Sequence, residues 1–241
     1  MSLSDIFSKP NYIKGIGEIY PVQLKDWEEF NICLNVLMLS EKHFETTENV
    51  PLFDMLIFGL KDIPIIDILL NAFKIVLRNE NINYTSMEFF HGFIIDENYT
   101  ITNQNYNALR EVILRQNLVF EPKVYKDKLM QEWANKVLEA RNKNALNVTL
   151  EDMISTVAMV SGKHYWDLEK YTIYQIQQEF QRIMKYADYN SRMIMFANPY
   201  MDHSKISTEH FVENIDMYKS PYDDLFKSKD KLNNINKAIQ N

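Results

Sequence analysis

The stretch TLEDMISTVAMVSGKHYWDLEKYTIYQIQQEFQRIMKYADY, residues 149–189, decides the predicted fold because it marks where two helices begin. Each half opens on a threonine, Thr149 or Thr172, whose hydroxyl can accept a hydrogen bond from the first helical turn. Three residues later stands an acid or an amide, Asp152 or Gln175. This arrangement is the capping box of helix N-termini, strict for Thr172 and approximate for Thr149, where Asp replaces Glu.

The end of the first helix is marked as well. Gly162 follows its last apolar residues, and glycine is the usual residue in the left-handed conformation after a helix. The aromatic linker KHYWDLEKY then leads to the second threonine. Two helices with such defined ends predict a packing module, and nothing in them indicates a catalytic pocket.

Composition indicates a folded, helix-rich protein. Of its 241 residues, 46% are hydrophobic and 13% aromatic, which argues against disorder over most of the length. Five glycines and seven prolines are few and favour helix over sheet. The net charge of −7 argues against a protein that binds nucleic acid by neutralising phosphates, so no nucleic-acid partner is expected.

No targeting or membrane segment is expected. The first ten residues, MSLSDIFSKP, lack the basic and apolar regions of a signal peptide. Charged residues interrupt the most apolar run, Pro51–Val76, whereas a membrane helix needs about 20 predominantly apolar residues. The single cysteine, Cys33, cannot form an intramolecular disulfide, which favours a reducing cytosolic setting. Its place on an apolar stripe predicts a core residue.

Hydrophobic spacing predicts helices after Pro21, over 51–60 and 65–78, after Asn103 or Asn105, and over 125–145. The β-prone run Phe89–Ile95 is followed by a turn signal and a short return strand. The predicted fold class is mainly α: a multi-helix orthogonal or bundle-like domain with one small β-hairpin near 88–102 and a mobile C-terminal tail.

Proline positions and thinning hydrophobicity suggest the domain boundaries. We predict an extended N-terminal arm over 1–20, a helical N-terminal domain with the small hairpin over 21–121, a helical C-terminal domain over 122–200, and a flexible polar tail over 201–241.

A search for reactive patterns predicts no catalytic, cofactor-binding or metal-ligating residues and no enzymatic activity. The five histidines are scattered, and HExxH and CxxC are absent from the sequence. Gly15 and Gly17 lack the third glycine and the Lys-Ser/Thr of phosphate loops, so a turn is expected there. Cys33 sits on an apolar stripe, where a reactive thiolate is disfavoured.

Two apolar features remain as candidate partner surfaces: the aromatic linker with Tyr165, Trp166 and Tyr174, and the methionine-rich end of the last helix. Both have two interpretations. Aromatic and methionine side chains fill cores, and they are also favoured in contacts between proteins. The core is the expected place for Trp166, and exposure is expected for at least part of 219–241.

These segments resemble a known family. Thr149–Gly162, then Trp166, then Tyr171-Thr-Ile-Tyr-Gln-Ile176 and Phe180-Gln-Arg-Ile183, is similar to the C-terminal helical part of tail assembly chaperones of tailed bacteriophages infecting Gram-positive hosts. The segment Ile19-Tyr-Pro-Val-Gln-Leu-Lys-Asp-Trp27 resembles the opening of such proteins. The resemblance covers about residues 19–40 and 130–190.

The resemblance implies a non-enzymatic role in the host cytoplasm during assembly. Such chaperones bind the tape-measure protein and recruit tail-tube subunits; self-association is a further option, and no membrane partner is expected. The candidate partner-binding residues are Tyr165, Trp166, Tyr174, Arg182, Met193, Phe196, Leu225 and Phe226. The alternative is a structural virion subunit of the neck, baseplate or adaptor that stays in the particle. A further, less favoured option is an enzyme with an unrecognised site.

Overall fold

The structure is a computed structural model that describes residues 3–44, 50–60, 63–88, 90–125, 127–143 and 147–222. The chain divides into two compact units. One comprises residues up to Val119 together with Thr149–Met217, and the other comprises Phe120–Val148 together with the residues from Tyr218 onward. The predicted boundaries of arm, domains and tail stay predictions.

The N-terminal segment begins with a short helix, α1 (Leu3–Ile6), and a hairpin of β1 (Asn11–Ile13) and β2 (Gly17–Ile19). Gly15 and Gly17 have φ angles of +86° and +102°, which L side chains rarely adopt. These conformations explain the glycine pair and confirm the turn predicted there.

Four helices follow in the N-terminal part: α2 (Trp27–Leu37), α3 (Leu52–Gly59), α4 (Ile65–Leu77) and α5 (Tyr106–Gln116). Each carries apolar residues at three- and four-residue spacing that face one core. The helices predicted over 51–60 and 65–78 are confirmed, and Cys33 is a buried core residue as expected.

A three-stranded antiparallel sheet lies between α4 and α5 in sequence. Its strands β3 (Asn83–Met87), β4 (Phe90–Ile94) and β5 (Thr100–Ile101) follow the order β3-β4-β5. A Cβ added at Gly92 would come within 2.5 Å of the Ile101 carbonyl oxygen, so only glycine fits there.

Aromatic side chains lie at the centre of this core. The Phe73 and Phe93 rings meet edge to face with centroids 4.9 Å apart, and the Phe53 and Tyr106 centroids are 5.2 Å apart. Burial raises the pKa of the Tyr106 hydroxyl. The core also holds a charged residue, Arg110, whose Nε donates to the Leu37 carbonyl oxygen at 2.6 Å.

Among the described residues, the C-terminal α-helices are α7 (Leu150–Ser161), α8 (Tyr165–Leu168) and α9 (Ile173–Phe196). Backbone hydrogen bonds join them to the N-terminal part: the Leu24 amide donates to the Tyr171 carbonyl oxygen at 2.8 Å. The Gln175 side chain donates to the Ile6 carbonyl oxygen at 2.8 Å. The start of α9 is therefore fixed from two sides.

The second unit contains α6 (Lys128–Lys143), where the sequence predicted a helix over 125–145. Tyr125 precedes this helix, and its amide donates to the Gln131 side chain at 2.8 Å. Near its end, an Arg141 guanidinium nitrogen donates to the Pro221 carbonyl oxygen at 3.1 Å.

The predicted fold class needs correction. It allowed one hairpin near 88–102, whereas the described residues form two small sheets, one of them in the segment expected to be an extended arm. The strand missed in the second sheet, β3, is polar and largely exposed, so its sequence lacks the apolar alternation of a half-buried strand. The strand β3 forms because its backbone pairs with that of β4.

Candidate partner-binding site

Both predicted capping boxes are confirmed. At α7, the Asp152 amide donates to the Thr149 hydroxyl at 3.2 Å, and the Thr149 amide donates to the Asp152 carboxylate at 3.0 Å. At α9, the Thr172 amide donates to the Gln175 side chain at 2.9 Å, and the reciprocal bond is 3.3 Å. These bonds satisfy amides that a helix start otherwise leaves unpaired.

The three helices share a small core of their own. Val157, Leu168 and Ile176 are fully buried against one another, with partly buried neighbours from the same helices and from Leu24. This small cluster fixes how the three helices pack, but it leaves much of their apolar surface exposed.

Part of that uncovered surface lies where α7 ends and α8 begins, and another part, Ile194, Met195 and Phe196, lies at the end of α9. Met159, Val160, Tyr165 and Trp166 lie within eight residues of one another, and their exposed fractions range from 53% to 78%. We call these four residues the α7–α8 corner. Gly162, with a φ of +70°, reverses the chain between the two helices, and nothing lies within 4 Å of the position its Cβ would occupy. Exposed apolar residues grouped in this way are typical of protein contact surfaces.

Charged and aromatic contacts hold the corner in place. The Lys163 amine pairs with the Glu179 carboxylate at 2.8 Å and lies 4.8 Å from the centre of the Tyr171 ring. Burial lowers the pKa of Lys163, but the bonds to Glu179 and Tyr171 outweigh it, so its pKa is raised. The His164 ring stacks on Trp166 with centroids 4.4 Å apart. The Trp166 ring is therefore supported on one side and open to solvent.

A second feature lies along α9. Residues 203–217, which we call the strap, run back beside this helix, and their inner positions are Phe211, Glu213, Ile215 and Met217. The residues between these positions are exposed. The chain turns within this segment, because the Glu213 amide donates to the His210 carbonyl oxygen at 3.2 Å, and Ile215 and Met217 beyond the turn are buried.

Two arginines of α9 hold the strap through its backbone. Arg182 donates to the carbonyl oxygens of Phe211 and Glu213, the latter at 3.0 Å. Arg192 donates to those of Ser207 and Glu209 at 2.7 and 3.2 Å. One nitrogen of Arg182 donates to both of its carbonyls, whereas Arg192 uses two nitrogens, as the donor fork of arginine allows.

Side chains add to these bonds. Lys185 pairs with Glu213 at 3.3 Å, and the Phe211 ring lies beside Tyr186 and Tyr189, with centroids 5.1 and 5.7 Å away. The strap was expected to be part of a mobile tail. The arginine bonds and ring contacts describe how residues 203–217 lie on α9, and the predicted tail over 201–241 stays a prediction.

The predicted partner-binding residues fall into separate groups. Tyr165 and Trp166 are exposed at the α7–α8 corner, so the expectation of a core position for Trp166 is wrong. Tyr174 is buried. Arg182 binds the strap, and Phe196 lies beside His203 with ring centroids 4.9 Å apart. Met193 is half-buried on α9, and Leu225 and Phe226 lie outside the described residues.

Sequence reasoning missed Arg192 and the strap. Arginine bonds to main-chain carbonyls leave no signature in the partner's side chains, so they cannot be read from sequence. One signal was present: Phe211, Ile215 and Met217 are apolar side chains in a largely polar segment, and Ile215 and Met217 are buried.

Other surfaces are less suited to chemistry. A groove of about 340 Å³ between α2 and α4 is lined by residues that include Ile32, Cys33 and Lys74. Burial, together with the Glu29 charge, raises the pKa of the Cys33 thiol, which keeps it protonated. Among the described residues, no three His, Cys, Asp or Glu side chains group as metal ligands, and no helix is both long and apolar enough to cross a membrane.

Comparison with known proteins finds similarity to a family model and to a prophage-derived protein. Residues 140–216, about a third of the chain, match the family model described as the YomV second domain. This region contains α7, α8, α9 and nearly all of the strap. The chain is also similar to the SPbeta prophage-derived protein YomV of Bacillus subtilis (strain 168), with 22% identity over 210 residues, 85% of this chain and 84% of that protein. No solved structure matches the chain.

Proposed function

We propose that this protein is a non-enzymatic phage tail assembly chaperone. It binds the tape-measure protein through the α7–α8 corner and helps to recruit tail-tube subunits in the host cytoplasm. The observation that carries the proposal is the exposure of the four apolar residues of the corner, Trp166 above all. Solvent-exposed tryptophan and tyrosine side chains contribute disproportionately to protein–protein affinity.

Three further observations support this role. The similarity to a prophage-derived protein agrees with a phage origin. The residues that resemble tail assembly chaperones include the corner and both capping boxes. The net charge of −7 disfavours non-specific association with nucleic acid and with other copies.

The corner also suits a helical partner. Its apolar side chains stand at the end of a rigid helix pair, held by Lys163 and Glu179, so that little side-chain freedom is lost on binding. A long helical protein such as a tape measure exposes apolar stripes before it assembles. Covering such a stripe with a preformed surface is the helix-in-groove mode of recognition.

The test is co-expression with the tape-measure protein encoded in the same phage or prophage. We expect the tape measure to stay in the soluble fraction and to co-purify with this chain. If the chain neither keeps it soluble nor co-purifies with it, the proposal fails. A tagged, unrelated acidic helical protein is the control for non-specific solubilisation.

Mass spectrometry of purified particles separates this role from the structural alternative. A chaperone leaves the assembly and should be depleted, whereas a neck, baseplate or adaptor subunit should be present at a fixed ratio to the tail proteins. A fixed ratio would overturn the chaperone proposal.

A further inference from the structure

The strand β3 forms an open edge of the three-stranded sheet. The order β3-β4-β5 places β3 and β5 at the two sides, with β4 between them. On the side of β5, the Thr100 amide donates to the Gly15 carbonyl oxygen at 3.1 Å, so the β1–β2 turn lies against that edge. Among the described residues, no strand pairs with the outer side of β3, and its ends, Asn83 and Met87, are exposed. Backbone amides and carbonyls along this side of β3 are therefore available for pairing.

This edge lacks the features that usually protect an exposed strand. Proline and charged side chains, lysine above all, keep strand edges from pairing with another chain. The hairpin strand β1 has such residues on both sides, with Lys9 and Pro10 before it and Lys14 after it. By contrast, the segment from Asn81 to Met87 contains no proline and no charged residue. The sequence of β3 thus does nothing to prevent the addition of a further strand.

The pattern of β3 suits a second copy of the same strand. When two antiparallel copies are related by a two-fold axis at Thr85, Thr85 faces its own counterpart, Tyr84 faces Ser86, and Asn83 faces Met87. Threonine pairs are favourable across neighbouring strands, whereas like charges opposite each other are destabilising. None of these five residues is charged, so the pairing sets no two charges of the strand against each other despite the net charge of −7.

We propose that the chain forms a two-fold dimer in which β3 pairs with β3 of a second copy. The two three-stranded sheets join into one continuous antiparallel sheet, and Met87 of each copy lies beside Asn83 of the other. Main-chain hydrogen bonds supply the affinity, as in other cases of strand addition to an open edge. The contact is small, so the dimer is weak and exchanges with single chains. It uses neither the α7–α8 corner nor the tape measure and goes beyond the chaperone role.

Analytical ultracentrifugation of the full chain at increasing concentration tests the dimer. The weight-average mass should rise from 28.7 kDa, the mass of one chain, toward twice that value. Thr85→Lys and Thr85→Glu each place two like charges face to face at the two-fold axis, so each should weaken the dimer at least about tenfold. An equimolar mixture of the two variants pairs opposite charges and should restore the association. Asn98→Lys and Asn98→Glu, the same changes in an exposed turn, should leave it unaltered.

A second measurement needs no variant. In nuclear magnetic resonance spectra of the wild type, the methyl signal of Met87, which is 70% exposed in the single chain, should shift as the concentration rises. The methyl signal of Met159, 78% exposed at the α7–α8 corner, should stay in place. Circular dichroism checks the fold of the Thr85 variants, and the methyl signals decide alone if either variant does not fold.

Three results would overturn the proposal. The first is the mass of one chain at every concentration, and the second is an association that the Thr85 variants leave unchanged or that their mixture does not restore. The third is a shift of the Met159 methyl signal without one of Met87, which would identify the α7–α8 corner as the surface of self-association. Because tape-measure binding enters none of these measurements, the dimer and the chaperone role can fail independently.

Discussion

The N-terminal core and the α7–α9 module differ in how completely they bury their apolar side chains. The core buries its aromatic side chains in one cluster that spans α2 to α5, and Phe53, Phe73 and Phe93 have no exposed surface. The module fully buries only a few side chains in the cluster around Val157, and it exposes Trp166 and Met159. The difference indicates that stability comes mainly from the core, whereas the module is shaped for contact.

The two regions also begin their helices differently. Described bonds at the starts of α2, α3 and α4 include no side-chain cap, and the buried residues of these helices belong to the N-terminal core. The starts of α7 and α9 are defined by reciprocal side-chain bonds. The two capping boxes differ in burial: Thr149 is exposed, whereas Thr172 and the first residues of α9 are buried, so the bonds at α9 add to packing.

The largest expected effect tests the core. Phe73→Ala should lower the free energy of unfolding by about 3–5 kcal/mol, because it removes a fully buried ring and leaves a cavity. Urea denaturation followed by circular dichroism measures it. Phe7→Ala, a change of the same size at an exposed position, should stay within about 0.5 kcal/mol. Equal losses for both variants would remove the contrast between core and surface.

A smaller effect tests the caps. Thr172→Ala should cost about 1–2 kcal/mol, because Thr172 is buried and its hydroxyl caps α9. Thr149→Ala, at the exposed cap of α7, should cost less, about 0.5–1 kcal/mol. Serine at either position keeps the oxygen and should recover most of the loss. The reverse order would show that burial around Thr172 adds nothing to its cap.

Acid should distinguish the two caps. The Thr149 amide and hydroxyl lower the pKa of the Asp152 carboxyl, and the pKa of Glu151 is lowered as well. The contribution of these carboxylates is fully present above about pH 4, their ordinary range, and is lost as the pH falls through the lowered values. Gln175 does not titrate, so α9 should keep its cap.

Amide signals in nuclear magnetic resonance spectra recorded from pH 6 to pH 2 measure this difference. The first turn of α7 should shift or broaden before that of α9. In the variant Asp152→Asn, the loss at α7 should shrink to the part that Glu151 contributes. A simultaneous change at both helix starts in the wild type would mean that global unfolding precedes cap loss.

How much of the fold can be predicted from the sequence depends on how far apart in the chain the interacting residues lie. Thr149, Asp152, Thr172 and Gln175 act over three residues, so their capping boxes could be read directly and are confirmed. The pairing of β3 with β4 depends on a polar strand and a neighbouring backbone, and it was missed. Short-range chemistry is visible in sequence, whereas backbone pairing is not.

The candidate site shows the same limit. Trp166 was selected from the sequence as a contact residue, but spacing alone favoured the core, because aromatic residues between helices usually fill it. The strap on Arg182 and Arg192 was missed because its recognition runs through carbonyl oxygens that every residue carries. Tyr174 was selected for its aromatic type, yet it lies buried at the start of α9.

The most direct test of the difference between contact surface and core compares Trp166→Ala with Leu168→Ala. The two residues are two positions apart in α8 but lie on opposite sides of it. We predict that Trp166→Ala abolishes co-purification of the tape-measure protein while the free energy of unfolding changes by less than about 0.5 kcal/mol. Leu168→Ala should instead cost about 2–5 kcal/mol, as expected for a buried leucine. Full retention of tape-measure binding by a folded Trp166→Ala variant would contradict the claim that the α7–α8 corner is the contact surface.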